Sequence, residues 1–178
     1  IKKATGGDAT EYSEPTYEGY ATNGVAVFVE CTTDNLNRTV AAIRSIFNKY
    51  GGSLGTNGSL EFIFDRKGVF NFPQPDGVDL DDITLELIDA GAEDAEQEEG
   101  YFHLTCAMED FGSLQKKLDE LGIESEVSEL QRIPNTLIYL SNEDFTRVMR
   151  LVDTLEDDDD VQKVYHNINI TEDQVALV

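Results

Sequence analysis

The sequence has no tryptophan, only two cysteines, two histidines and four prolines, and just 13 Lys and Arg against 36 Asp and Glu. Each shortage excludes something. With no CxxC spacing and no paired histidine, Cys31 and Cys106 read as small buried hydrophobes inside strands, not as metal ligands or a redox pair. A formal charge of -23 repels phosphates, whose binding rests on clustered Lys and Arg, so this stretch alone is expected to bind DNA or RNA poorly. No run approaches the roughly 18 to 20 apolar residues of a membrane helix, and no basic-then-apolar leader opens the chain; a soluble, cytoplasmic protein without membrane contact is expected. No nucleophile, base and orienter can be assembled, and no cofactor motif is visible, so the expectation is a binding protein with no enzymatic activity and no cofactor.

What is present is enough apolar residue for one good core or two small ones, at 40% of 178 residues. Ile1-Lys2-Lys3-Ala4-Thr5-Gly6 reads as the last turn of a helix closed by glycine, and Gly7 onward as a linker, so 1–16 is expected to end an N-terminal helical domain lying upstream. In 17–33, Val25, Val27 and Val29 alternate with Ala26 and Phe28, which predicts a central strand with two apolar faces. Val40, Ile43, Phe47 and Tyr50 then recur at helical spacing until Gly51-Gly52. Leu60, Phe62 and Phe64 alternate and 69–72 resumes after Arg66-Lys67-Gly68, predicting a β-hairpin or one long bent strand.

Between Pro73 and Pro134 the periodicities predict helix, strand, helix, strand: the stripe Leu80, Ile83, Leu87, Ile88, an acidic stretch 93–99 leading into strand 101–106, the stripe Phe111, Leu114, Leu118, Leu121, and strand 125–133. After Pro134 come a strand at 136–140, a helix capped by Ser141 with Phe145, Val148, Val152 and Leu155 on its apolar side, a strand at 161–170 and a tail at 171–178. The expected fold is α+β. A ferredoxin-like β-α-β-β-α-β domain is assembled from 17–73 and 134–170, with a second α+β domain, 74–133, inserted between its halves.

Four stretches could carry chemistry. The glycine-rich run from Gly51 through Gly58 to Ser59 follows a helix and lacks the Lys-Ser or Lys-Thr of a phosphate loop, so it reads as a conformationally demanding loop whose amides could receive a partner's carboxylate or phosphate. The carboxylates Glu156 to Asp160 lack the glycine and spacing of a calcium loop and read as a solvated charged turn. His103 and His166 lie in strands, His166 on a face with Val164 and Ile168, which fits a packed histidine better than a general base. Asp34, Asn35, Asn37 and Arg38 crowd a helix start, where they could bind an anion or cap the helix; capping is favoured, and Arg38 is placed to pair with a carboxylate of its own chain or of a partner.

Tyr17-Glu18-Gly19-Tyr20 with Gly24-Val25-Ala26-Val27, then Glu30-Cys31-Thr32-Thr33-Asp34-Asn35 with Asn37-Arg38-Thr39-Val40, resemble the YebC/PmpR family. Gly51-Gly52-Ser53-Leu54-Gly55-Thr56 with Gly58-Ser59, and Val164-Tyr165-His166-Asn167, do so too, in the same order. The resemblance spans 17–170. It implies an N-terminal helical domain followed by two α+β domains, the third inserted in the second, and no enzymatic activity. It also implies regulation of gene expression, by DNA-binding transcriptional control or, as in mitochondrial relatives, by translational activation at the ribosome. The family's basic, tryptophan-containing opening segment is missing from this sequence, and Ala21-Thr22-Asn23 stands where a turn richer in glycine and proline is usual. DNA contact would then run through the N-terminal domain, with ribosome or RNA as the alternative partner and protein partners on the acidic surface. The candidate partner-binding residues are Tyr20, Gly24, Asp34, Asn35, Asn37, Arg38, Gly52, Leu54, Gly55, Gly58, Ser59, Tyr165, His166 and Asn167.

Overall fold

A computed structural model describes residues 2–5 and 8–178. The strands are β1 (Lys2–Thr5), β2 (Asp8–Glu11), β3 (Thr16–Tyr20), β4 (Ala26–Cys31), β5 (Ser53–Leu54), β6 (Phe64–Pro73), β7 (Ala92–Glu98), β8 (Tyr101–Ala107), β9 (Val127–Pro134) and β10 (Val161–His166). The helices are α1 (Leu36–Lys49), α2 (Leu80–Asp89), α3 (Phe111–Glu120), α4 (Asn142–Glu156) and α5 (Glu172–Val175). Two compact units result: 1–64 with 134–178, and 65–133.

The first unit is built on a four-stranded antiparallel sheet ordered β10-β4-β3-β5. Its centre is β4, whose successive side chains point to opposite faces. Val25, Val27, Val29 and Cys31 meet Ile43 and Phe47 of α1 and Phe145, Val148, Leu151 and Leu155 of α4. On the other face Ala26 and Phe28 are covered by Leu60 and Phe64, with the Phe28 and Phe64 rings edge to face at 6.2 Å. The two-faced apolar pattern of β4 therefore has a partner on each side.

The second unit runs β6-α2-β7-β8-α3-β9, with its antiparallel sheet ordered β7-β8-β6-β9. Phe70, Phe72, Phe102 and Leu104 bury against Ile83 and Leu87 of α2 and Leu114 and Leu118 of α3. Phe72 and Phe102 stack with ring centres 5.2 Å apart.

The α+β class is as expected, but several elements differ. Lys2–Thr5 is not a helix end: it pairs antiparallel with Asp8–Glu11, in the stretch read as linker. Ile1, Gly6 and Gly7 of that reading lie outside the described residues. The single strand expected over 17–33 is two, β3 and β4, joined by a tight turn with Asn23 and Gly24 at positive φ. Of Leu60, Phe62 and Phe64 only Phe64 is in a strand, opening β6, which runs on through Arg66-Lys67-Gly68 without a turn. Leu60 and Phe62 lie on a turn-rich segment, with Leu60 and Phe64 buried four residues apart and Phe62 86% exposed.

Residues 69–72 belong to β6, which pairs with β8 of the second unit, so the β-α-β-β-α-β order drawn for the outer halves is carried by the inserted unit. In the first unit the order is β3-β4-α1-β5, then α4-β10. Acidic 92–98 is a strand, β7, and 136–140 makes only a parallel bridge between Ile138 and Ile168. The tail carries α5, where Thr171 and Gln174 form a capping box and buried Gln174 donates from Nε2 to the Leu140 carbonyl at 2.6 Å.

Candidate functional site

At one end of the first sheet, β4 delivers Thr33 and Asp34 to the start of α1. Asn35 caps that helix, its Oδ1 accepting from the Arg38 amide at 3.0 Å. Arg38 turns its guanidinium onto two carboxylates. Nε and Nη2 donate to Asp160 Oδ2 and Oδ1 at 3.2 and 2.9 Å, and Nη2 also donates to Asp34 Oδ1 at 3.0 Å. Thr39 Oγ1 lies 2.8 Å from Asp160 Oδ2, and the Thr32 amide donates to the Asp160 carbonyl at 2.8 Å. These bonds fix the acidic loop ahead of β10 to the strand beside it. The hydrogen bond from Arg38 holds the Asp160 carboxyl below its ordinary range, and the bonds to Asp160 and then Asp34 raise Arg38. So the capping reading of Asn35 is the one observed, Arg38 pairs within its own chain, and Asp160 is not merely a solvated charge. Asn37 is exposed on the first turn of α1, outside this knot.

The glycine-rich loop has an occupant from its own chain. Glu18 of β3 is 4% exposed, and its carboxylate accepts from the Gly58 amide at 2.6 Å and the Leu60 amide at 2.9 Å. Gly55 donates its amide to the Glu18 carbonyl at 2.8 Å. One of the amides expected to await a partner's anion, that of Gly58, and the Leu60 amide just beyond the run thus hold Glu18, a residue quoted within a motif but not singled out from the sequence. Two glycines are required by proximity where the loop meets β3: a Cβ on Gly52 would collide with the Tyr20 carbonyl oxygen, and one on Gly19 of β3 would sit 2.7 Å from the Ser53 carbonyl oxygen. Leu54 packs into the helix-side core and Ser59 is exposed.

Asn167 is 2% exposed and its Oδ1 accepts from the Ala26 amide at 2.9 Å, closing the sheet where β10 ends. His166 Nδ1 accepts from the Ile168 amide at 3.2 Å, and burial lowers its pKa, so the ring is neutral near pH 7. Tyr165 packs beside the Ala26 and Phe28 cluster with Lys163 over its ring at 5.8 Å. Tyr20 sits opposite Ser53 on one side and Ala26 on the other. The predicted residues therefore divide between the two ends of one sheet. Tyr20, Gly52, Leu54 and Asn167 lie at the end where β4 starts, and Asp34 and Arg38 where it finishes. They do not converge on one cavity.

The second unit holds an open cleft that the sequence reading missed, lined by Asn71, Glu98, Tyr101, His103 and Glu126 among others. His103 Nδ1 is 2.8 Å from Asn71 Oδ1, and the Tyr101 hydroxyl is 3.2 Å from both Glu126 oxygens. Only strand alternation could have placed Tyr101 and His103 on one face. Cys31 and Cys106 are buried and not in a disulfide, and burial pushes the Cys31 thiol up to about 12. Among the described residues no three metal-ligating side chains gather, and no helix is long and apolar enough to cross a membrane.

Set beside known proteins, residues 12–168 match the family described as the TACO1/YebC second and third domain. A protein of Amoebophilus asiaticus named "probable transcriptional regulatory protein" is 54% identical over 170 residues, covering 94% of this chain and 70% of its own length. A Porphyromonas gingivalis protein of the same name is 46% identical over 168 residues, covering 94% and 69%. The crystal structure of a conserved hypothetical protein from Aquifex aeolicus aligns with a TM-score of 0.77 at 35% identity, over 90% of this chain and 66% of that one.

Proposed function

The chain belongs to the TACO1/YebC family, and from that premise we propose that it is a non-enzymatic regulator of gene expression that acts on transcription through duplex DNA. The observation carrying this reading is the identity, at 54% and 46% over nearly the whole chain, to relatives named as probable transcriptional regulators. The geometry is in keeping with it. Arg38 and Asn167, both candidates from the sequence, and Glu18 are each spent on holding strands and loops together. With a formal charge of -23, these two units contribute shape and protein-facing surface, and most of the grip on DNA is proposed to come from a basic N-terminal domain of the full-length gene product.

The test is a footprint of the full-length gene product on genomic duplex fragments, run beside sedimentation of the same protein with ribosomes. Protection of discrete duplex sites, with affinity falling steeply as salt rises, is expected. Co-sedimentation with ribosomes and no protected duplex would overturn the transcriptional reading in favour of a translation factor.

A further inference from the structure

One element breaks the acidic pattern. Helix α1, LNRTVAAIRSIFNK, has no Asp or Glu, whereas each of the other four helices carries at least two, in a chain where 36 of 178 residues are acidic. Thr39, Ile43 and Phe47 bury one side of it. The exposed side, at i, i+3 and i+4 spacing, presents Asn37, Ala41, Arg44, Ser45, Asn48 and Lys49. Ala41, Arg44, Ser45, Asn48 and Lys49 line a shallow groove. Among the described residues Arg44 and Lys49 form no ion pair, as is true also of Arg66, Lys116 and Arg150, and Lys49 stands over the Tyr50 ring at 5.5 Å; only α1 sets two such cations on a helix free of acids.

We propose that the exposed face of α1, centred on Arg44 and Lys49, is a second, phosphate-contacting surface for duplex DNA. Charge complementarity identifies the occupant. Two cations without a carboxylate partner stand beside amide and hydroxyl donors on Ser45 and Asn48, and Ala41 is short enough to let a phosphodiester backbone approach closely. The net charge does not forbid the contact. At physiological ionic strength fields decay over about 8 Å, so the local face decides what docks there. The N-terminal end of α1, where Asp34 and Asp160 surround Arg38, stays negative, which confines the contact to the stretch from Ala41 to Lys49. Such contacts position a protein on a duplex without reading sequence. This inference rests on the transcriptional reading, because it takes DNA as the polyanion.

The experiment measures duplex binding by the full-length gene product across a salt series, comparing wild type, the double variant Arg44→Gln/Lys49→Gln, and Lys116→Gln as a control. Lys116 is an exposed cation of the second unit. The double variant is expected to lose roughly tenfold or more in affinity at about 0.1 M salt and to lower the salt slope by about 2, at ~0.9 per lost phosphate contact. The control should match wild type, and matched thermal melts should show that both variants fold. Unchanged affinity and slope in the double variant, with wild type binding duplex DNA, would overturn this surface and leave the transcriptional reading standing. Wild type that binds no duplex would overturn both.

Discussion

At the residue scale the two informative side chains are carboxylates that a reader of sequence treats as solvent-facing. Glu18 stands in a strand and Asp160 closes a run of five acids, yet both are bound by donors from distant segments. Composition cannot reveal this, because the donors are backbone amides 40 residues away in one case and an arginine 122 residues away in the other. Replacing Glu18 by Ala strips the acceptor from two loop amides and should cost about 1–3 kcal/mol of unfolding free energy, read from urea midpoints. An unchanged midpoint would mean water serves those amides equally well. For Asp160 the expectation is a pH dependence. Its folded pKa is depressed, chiefly by Arg38, so its contribution is complete above the unfolded carboxylate value and is lost as pH falls through the lower, folded one. The stability gap between wild type and Asp160→Asn should therefore be constant near neutrality and shrink in the acid range, below about pH 4. A gap that persists unchanged to the acid limit of folding would show that the carboxylate's charge contributes nothing.

Elements were legible where one periodicity ran long enough to dominate. Helices α1 to α4 and strands β4, β8 and β10 all follow their apolar spacing. Where the pattern was short or charged it misled. Strand β7 carries four carboxylates because it is an edge, paired on one side only, where charge opposes further pairing. The alternation of Leu60, Phe62 and Phe64 imitated a strand, although burial four residues apart was the operative spacing. The capping box at Thr171 was readable, but eight terminal residues offered no periodicity to attach it to. The partition of β6 was beyond sequence reasoning, since an apolar strand does not say which sheet it joins. Glycine positions make the element-level packing testable. Gly52 lies against the Tyr20 carbonyl where α1 returns to the sheet, so Gly52→Ala should destabilise by about 1–3 kcal/mol through overpacking. A Cβ added to Gly112, inside α3, would meet nothing within 4 Å beyond its own helix. Gly112→Ala should therefore stabilise by about 0.4–1 kcal/mol through helix propensity and reduced unfolded-state entropy. Opposite signs in paired denaturation curves are the expected result; two losses would contradict the open space at Gly112.

On the scale of the whole molecule, the governing quantity is the imbalance of 36 acidic against 13 basic residues. Several of the ion pairs present involve an exposed partner: Lys67 with Glu93, Lys117 with Glu86, and Arg147 with Glu143 and Asp144. Exposed pairs of this kind contribute roughly 0–1 kcal/mol each. Repulsion among the remaining carboxylates acts over every surface and favours the expanded chain. Crowding is visible at the end of α4, where burial and then Asp153 and Asp157 raise the Glu156 carboxyl. Added salt screens both effects, but it removes more repulsion than attraction when one sign outnumbers the other almost threefold. The melting temperature should accordingly rise by several degrees between low-millimolar and about 0.2 M sodium chloride at pH 7, most of the gain arriving as the screening length falls from about 30 Å toward 8 Å. A protein whose stability rested on its surface ion pairs would respond in the opposite direction. A melting temperature that falls steadily over the same salt range would show that local pairing, led by Arg38 with Asp34 and Asp160, outweighs the long-range repulsion.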